Sequence, residues 1–157
     1  MTKRIVYTHP DGRARVVSPA PEFMAKFATE AEGLAAVQAK SVPMAATDIA
    51  VIDAADISTD RTFRNAWVIA AGKPEVDMPK ARVIHMDSIR EERDTALTAS
   101  DIEMTRALED SNPAEIVRLK AKRTKLRDIP ADFDLSGATT PDELKALWPT
   151  ELPARSP

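Results

Sequence analysis

The sequence predicts an α+β protein, in which a small N-terminal β-hairpin/α module is followed by a long antiparallel α-helical hairpin and a short C-terminal helix. Short β-rich runs with Pro and Gly turns between them fill the first half of the chain. A stretch without Gly or Pro follows, with apolar residues at three- and four-residue steps. Two consecutive segments of this second half carry opposite net charge. We therefore expect domains at residues 1–78, 79–130 and 131–157.

Turn and capping residues define the elements of the first module. A Pro-Asp-Gly turn between β-rich runs is typical of a hairpin, and a Thr followed three residues later by Glu is a helix capping box. The first predicted elements are a hairpin of Ile5–Tyr7 and Val16–Val17 and a helix over 30–40, which is capped by Thr29 and Glu32. A strand over 49–52 follows. The last is a second hairpin, whose arms Ala66–Ile69 and Pro74–Val76 flank Ala71–Lys73.

The helices of the second half are predicted by periodicity, charge and proline. One helix runs from 80 to about 110 and the next from 114 to 128, where Pro130 ends it. From Asp87 to Asp110, eight acids and three bases give a net charge of −5, whereas residues 114–128 have six bases and two acids, for +4. Opposite charges on helices joined by a short loop favour an antiparallel hairpin.

The last part of the chain is predicted to be an extended loop, a short helix and a tail. Thr140, Pro141 and Glu143 together form a helix start with both a capping box and a proline in the first turn. Residues 152–157 contain two prolines and few apolar residues. We expect this tail to be mobile unless a partner holds it.

The composition excludes several classes of protein. Of 157 residues, 22 are Lys or Arg and 25 are Asp or Glu, and none is Cys, which excludes disulfides, thiol catalysis and Cys-ligated metals. The four Gly residues form no phosphate-binding motif, and His9 and His85 belong to no metal-ligand pattern. We expect no catalytic residues, cofactor or metal, and hence no enzyme. The absence of a long apolar run or signal-like N-terminus predicts a protein that starts in a cytoplasm and does not enter a membrane.

The long helix provides the main indication of function. Its first half, residues 84–97, is apolar on one face, and a partner helix of half its length cannot cover it. The cover is then either the α+β module or a second chain, which includes a homo-oligomer. The basic run 118–127 offers an alternative, a nucleic-acid-binding or regulatory module. It lacks aromatic residues for base stacking, and the acidic helix explains it more simply.

Four segments together resemble small tail-region proteins of tailed bacteriophages, the tail assembly chaperone-like or tail-fibre-associated family. These segments are Asp60–Trp67, Met78–His85, Leu126–Pro130 and Thr139–Pro149. The resemblance implies a non-enzymatic protein that binds a tail fibre or another tail or baseplate component, as an assembly chaperone or as a retained accessory subunit. It places the protein in the host cytoplasm during assembly, and in the virion tail if it is retained. A structural baseplate or connector subunit is the alternative.

Aromatic, Arg and large apolar residues are the candidates for partner binding, because such residues dominate interface hot spots. Phe63 and Trp67 have an equally good interpretation as core anchors of the first module. The expected partner-binding residues are Arg61, Phe63, Arg64, Trp67, Ile84, Ile89, Leu97 and Trp148.

Overall fold

The structure is a computed structural model that describes residues 2–155, and it divides into two compact units between Asp77 and Met78. Its strands and helices confirm the predicted α+β class. The first unit contains β1 (Lys3–Thr8), β2 (Ala14–Val17), α1 (Pro21–Met24), α2 (Glu30–Ser41), β3 (Thr47–Asp53), β4 (Trp67–Ala70) and β5 (Lys73–Val76). The second contains α3 (Met78–Glu109), α4 (Pro113–Asp132) and α5 (Pro141–Ala146).

The first unit is built around an antiparallel sheet in the order β2-β1-β3, with β4 and β5 as a separate hairpin. The turn between β1 and β2 is closed by the His9 amide, which donates to the Arg13 carbonyl at 2.9 Å, and Gly12 takes the positive φ of 79° that the turn requires. In the central strand, Ile5 lies opposite Val17 on one side and Val51 on the other. β1 is therefore paired along both edges.

Both faces of this sheet carry apolar side chains. Val6, Ile52, Ile57 and Trp67 form one buried cluster, and Ile69 of the second hairpin packs against it. Because side chains alternate along a strand, the residues paired with Ile5 face the other way. There Val17 lines a shallow groove with Phe23 and Val37, so α1 and α2 lie over the β1–β2 part of this second face. The short helix α1 was not predicted from the sequence.

The second unit contains an antiparallel pair of long helices. Lys122 Nζ of α4 lies 3.1 Å from Glu103 Oε2 of α3, and Arg123 pairs with Asp101 one residue further on. Leu119 and Leu126 are fully buried on α4, opposite the buried Ser100 and Ala107 of α3. The apolar contact holds the helices together, whereas exposed ion pairs of this kind add only about 0–1 kcal/mol each.

The prediction that Pro130 ends the second helix is wrong. α4 continues through Pro130 to Asp132, and the Phe133 amide donates to the Ile129 carbonyl at 2.9 Å to close the last turn. Proline has no amide hydrogen, so the hydrogen bond that residue 130 would donate to the Leu126 carbonyl is missing. Leu126 and Ile129 are both buried, and their packing keeps the chain helical past the proline.

The first half of the long helix has a cover that the sequence did not predict. The return segment, residues 133–152 after α4, packs against it. Arg82 Nη2 donates to the Ala138 carbonyl at 2.8 Å, and His85 Nε2 lies 2.7 Å from the Leu147 carbonyl oxygen. The apolar side chains of the return segment that become buried are Leu135, Ala138, Leu144, Pro149 and Leu152.

The tail contacts its own chain as far as residue 155, whereas the sequence predicted a tail that is mobile unless a partner holds it. Trp148 Nε1 donates to the Pro153 carbonyl at 2.9 Å, and the Arg155 guanidinium lies over the Trp148 ring, 5.7 Å from its centroid. Leu152 between them is 6% exposed. For residues 156 and 157 the same expectation falls outside the described part of the chain.

Candidate protein-interaction surfaces

The aromatic residues of the Asp60–Trp67 segment are both buried. Phe63 is 3% exposed and Trp67 is 4% exposed, and Trp67 belongs to the apolar cluster on the sheet. Asp60 Oδ1 accepts hydrogen bonds from both the amide and the hydroxyl of Thr62, which fixes the turn that leads into the single-turn 3₁₀ helix Arg64–Ala66. Phe63 and Trp67 thus act as core anchors and present no surface to a partner.

The two arginines of the same segment are exposed. The Arg61 guanidinium lies 5.2 Å from the centre of the Trp67 ring, which is a cation–π distance. Arg61 therefore covers one side of a core residue, and its charged end remains in solvent. Arg64 is exposed at the start of the 3₁₀ helix. The predicted group of four thus separates into two core aromatics and two surface arginines.

The predicted binding residues of the second unit differ in exposure. Ile89 is 0% exposed, so it belongs to the core. Ile84 and Leu97 lie on α3 and are half-buried, as is Trp148 in the return segment. These three side chains retain part of their surface, and they lie on two different elements.

His85 and Trp148 join α3 to the return segment. The two rings pack edge to face with centroids 5.8 Å apart, and His85 is 0% exposed. Because a carbonyl oxygen only accepts hydrogen bonds, His85 Nε2 donates to Leu147. Burial lowers the pKa of His85 from its ordinary value, the hydrogen bond to Leu147 opposes this, and the charge of Arg155 lowers the pKa further. Burial thus favours the neutral form of the imidazole.

The other histidine belongs to an exposed turn. The Asp11 amide donates to His9 Nδ1 at 3.2 Å, and Arg15 Nη2 lies 2.9 Å from Asp11 Oδ2. The hydrogen bond from the Arg13 amide, with smaller contributions from His9 and Arg15, lowers the pKa of Asp11 to about 2. This cluster of charges stabilises the β1–β2 turn.

Half of the bases in the basic run 118–127 are paired with acids. Arg118 binds Glu115 one turn earlier on α4, while Lys122 and Arg123 bind acids of α3. The pairing agrees with the explanation of the basic run by the acidic helix. Lys120, Lys125 and Arg127 are exposed on the same helix.

In the described part of the chain, seven large apolar side chains are exposed, and the sequence did not predict them as binding residues. In the first unit these are Met44, Ile49 and Val51, which are 105%, 40% and 45% exposed. In the second unit they are Val83, Ile102, Leu108 and Val117, at 56–67%. In the helices, the exposed residues fall between positions that are buried, as Val117 does two residues before Leu119. This spacing is visible in the sequence and could have indicated their exposure. For β3 no local signal exists, because its exposure depends on which strand it pairs with.

Comparison with known proteins gives no assignment, because the chain matches no protein-family model, no curated protein and no solved structure. Within residues 2–155, no group of three or more His, Asp or Glu side chains is arranged to hold a metal ion. None of the helices described there is long and apolar enough to cross a membrane.

Proposed function

We propose that this chain is a non-catalytic bacteriophage tail protein that binds a tail fibre or a neighbouring tail component through its helical unit. The observation that carries the proposal is the exposure of four large apolar side chains on α3 and α4, Val83, Ile102, Leu108 and Val117. Each of them leaves about half or more of its surface in water, although the unit has a well-formed core. Contact with a protein partner would bury this surface at about 25 cal/mol per Å².

The resemblance of four chain segments to tail assembly chaperone-like proteins supports the choice of partner. Tail fibres are long trimers that expose strand edges and apolar tips while they fold, and a small helical protein with apolar side chains on its surface can shield them. The ion pairs within the hairpin favour a protein partner over nucleic acid, because Lys122 and Arg123 already neutralise acids of α3.

The test is co-purification with the tail-fibre protein of the same phage. The tagged chain is co-expressed with the fibre, and we expect the two proteins to elute as one complex. Leu108→Glu combined with Val117→Glu places charge on two of the exposed apolar positions and should reduce the recovered fibre about tenfold or more. Ala99→Glu is the matched control, since Ala99 is exposed on α3, on the side opposite Leu108, and should leave the complex intact.

A fibre that is soluble, trimeric and unaccompanied both with and without this chain would refute the proposal. Where the complex forms, mass spectrometry of purified virions separates its two versions. A retained accessory subunit is present at a fixed copy number, whereas a chaperone released after assembly is absent.

A further inference from the structure

The strand β3 has one unpaired edge. Within residues 2–155 it is the last strand in the order β2-β1-β3, and it pairs only with β1. The Ala54 amide donates to the Thr2 carbonyl at 2.8 Å, in register with the pairs Arg4–Ile52 and Val6–Ala50. Because backbone groups alternate in direction along an antiparallel strand, the amide and carbonyl of Val51 point away from β1. They lie on the open edge, where a further strand can pair with them.

The centre of this edge has no charged side chain and no Pro, which are among the features that normally prevent strand addition. Natural sheets protect their edges with Lys, Pro or charged side chains, and the opposite edge strand β2 carries Arg15. The segment 49–52 of β3 contains only Ile, Ala and Val, and the β-bulge falls between Thr47 and Ala50, where Asp48 has a positive φ of 52°. An open groove of about 590 Å³ adjoins the strand, lined by Met44 and Ile49 together with residues of α2 and the loop after it.

We propose that this edge pairs with the β3 edge of a second copy of the chain, giving an antiparallel dimer with a continuous six-stranded sheet. The segment is self-complementary about Ala50. A two-fold axis that passes between the two copies at Ala50 sets Ile49 of each copy opposite Val51 of the other. Both residues face the same side of the sheet and are 40% and 45% exposed. A two-fold interface requires this property, since the same surface patch must fit itself.

The charges at the ends of the strand agree with this arrangement. Asp48 is exposed at the first end, and at the other end Lys3 Nζ lies 3.0 Å from Asp53 Oδ1. Antiparallel pairing about Ala50 brings Asp48 of one strand beside the Lys3–Asp53 pair of the other, where the Lys3 ammonium offsets the charge of the two carboxylates. It also sets Asp48 opposite Ile52 and Asp53 opposite Thr47, so no two acids face each other directly. Like charges directly opposite would destabilise the pair.

The first test is the solution mass of the full chain by sedimentation, without any fibre present. We expect a concentration-dependent dimer. Val51→Lys places an ammonium group on the open edge and should raise the dissociation constant of the dimer about tenfold or more. Val117→Lys is the matched control, since it makes the same change at an exposed position of the second unit and should leave the dimer unchanged.

The second test uses the absence of Cys from the chain. In the proposed register Ala50 meets its own equivalent at a non-hydrogen-bonded position, where Cα atoms are about 4.5 Å apart, within the range of a disulfide. Ala50→Cys should form a covalent dimer on mild oxidation, and Ala14→Cys, half-buried on the other edge strand, should not. Circular dichroism verifies that both variants keep the fold.

A chain that stays monomeric at high micromolar concentration, with Ala50→Cys no more cross-linked than Ala14→Cys, would overturn the proposal. If amide exchange at Val51 then slowed only when tail fibre was added, the edge would belong to a fibre strand instead. Failure of the dimer and failure of the proposed tail function can be told apart. The dimer is measured on the isolated chain and depends on residues of the first unit, whereas fibre binding is measured with the fibre and depends on residues of the second unit.

Discussion

The Nε2 atom of His85 lies 2.7 Å from the carbonyl oxygen of Leu147, and this hydrogen bond attaches the return segment to the first half of α3. The two residues are 62 positions apart in the chain. The imidazole is fully buried, and the Trp148 ring packs edge to face against it. Protonation of His85 would therefore place a positive charge in a buried site that also lies near Arg155.

The stability of the helical unit should fall as the pH falls below about 6.5. Burial lowers the pKa of His85 in the folded state, so the unfolded chain binds more protons between the two pKa values. The stabilisation from neutral His85 is complete above the unfolded pKa of about 6.5 and is lost as the pH falls toward the lower folded pKa. Urea denaturation at a series of pH values, followed by circular dichroism at the helix wavelength, measures this slope.

His85→Gln is the control for that measurement. Its side-chain amide can still donate to the Leu147 carbonyl but does not titrate near neutral pH. We expect the variant to show a flatter dependence of the unfolding free energy on pH from 6.5 down to the region where carboxylates titrate. If the unfolding free energy depended on pH equally in both proteins, a group other than His85 would cause the pH dependence.

Pro130→Ala should stabilise the helical unit by about 1–3 kcal/mol. Alanine restores the amide that donates to the Leu126 carbonyl, and proline inside a helix is about 3 kcal/mol less favourable than alanine. The lower end of the range applies if Pro130, which is half-buried, makes packing contacts that alanine loses. Urea denaturation of the two proteins at pH 7 gives the difference, and an unchanged or lower stability would show that the proline packing outweighs the missing hydrogen bond.

Phe63 and Arg64 are adjacent in the chain but should respond differently to substitution. Phe63→Ala removes a buried aromatic side chain and should destabilise the protein by about 3–5 kcal/mol. Arg64→Ala changes an exposed side chain and should alter the unfolding free energy by less than about 0.5 kcal/mol. Thermal unfolding of both variants, followed by the fluorescence of the tryptophans, makes the comparison. Equal and small effects would place Phe63 at a surface.

Local features of the fold were predictable because their signals lie within a few residues. The capping boxes at Thr29 and Thr140 both form, with the threonine hydroxyl accepting from the amide three residues on. The turn at Gly12 correctly predicted the β1–β2 hairpin, and the opposite charges of the two long helices correctly predicted that α3 and α4 pair. In each case the interacting groups are neighbours along the chain or belong to consecutive elements.

Contacts between distant parts of the chain were not predictable in this way. Nothing near Leu147 indicates that its carbonyl accepts a hydrogen bond from α3, and nothing near Val51 indicates that β3 is an edge strand. The same limit applies to the proposed binding residues, because Phe63 and Trp67 have the composition of a hot spot and are core residues. Whether an aromatic residue faces the core or a partner depends on packing that no single segment encodes.

The return segment also affects the order in which the helical unit is completed during synthesis. Residues 133–152 are synthesised after both long helices, so His85 lacks its neighbours Leu147 and Trp148 until this segment emerges from the ribosome. Domains fold as units as they emerge. A nascent chain of which only residues up to 132 have emerged therefore exposes part of the α3 face around His85 to chaperones, and emergence of residues 133–152 ends that exposure.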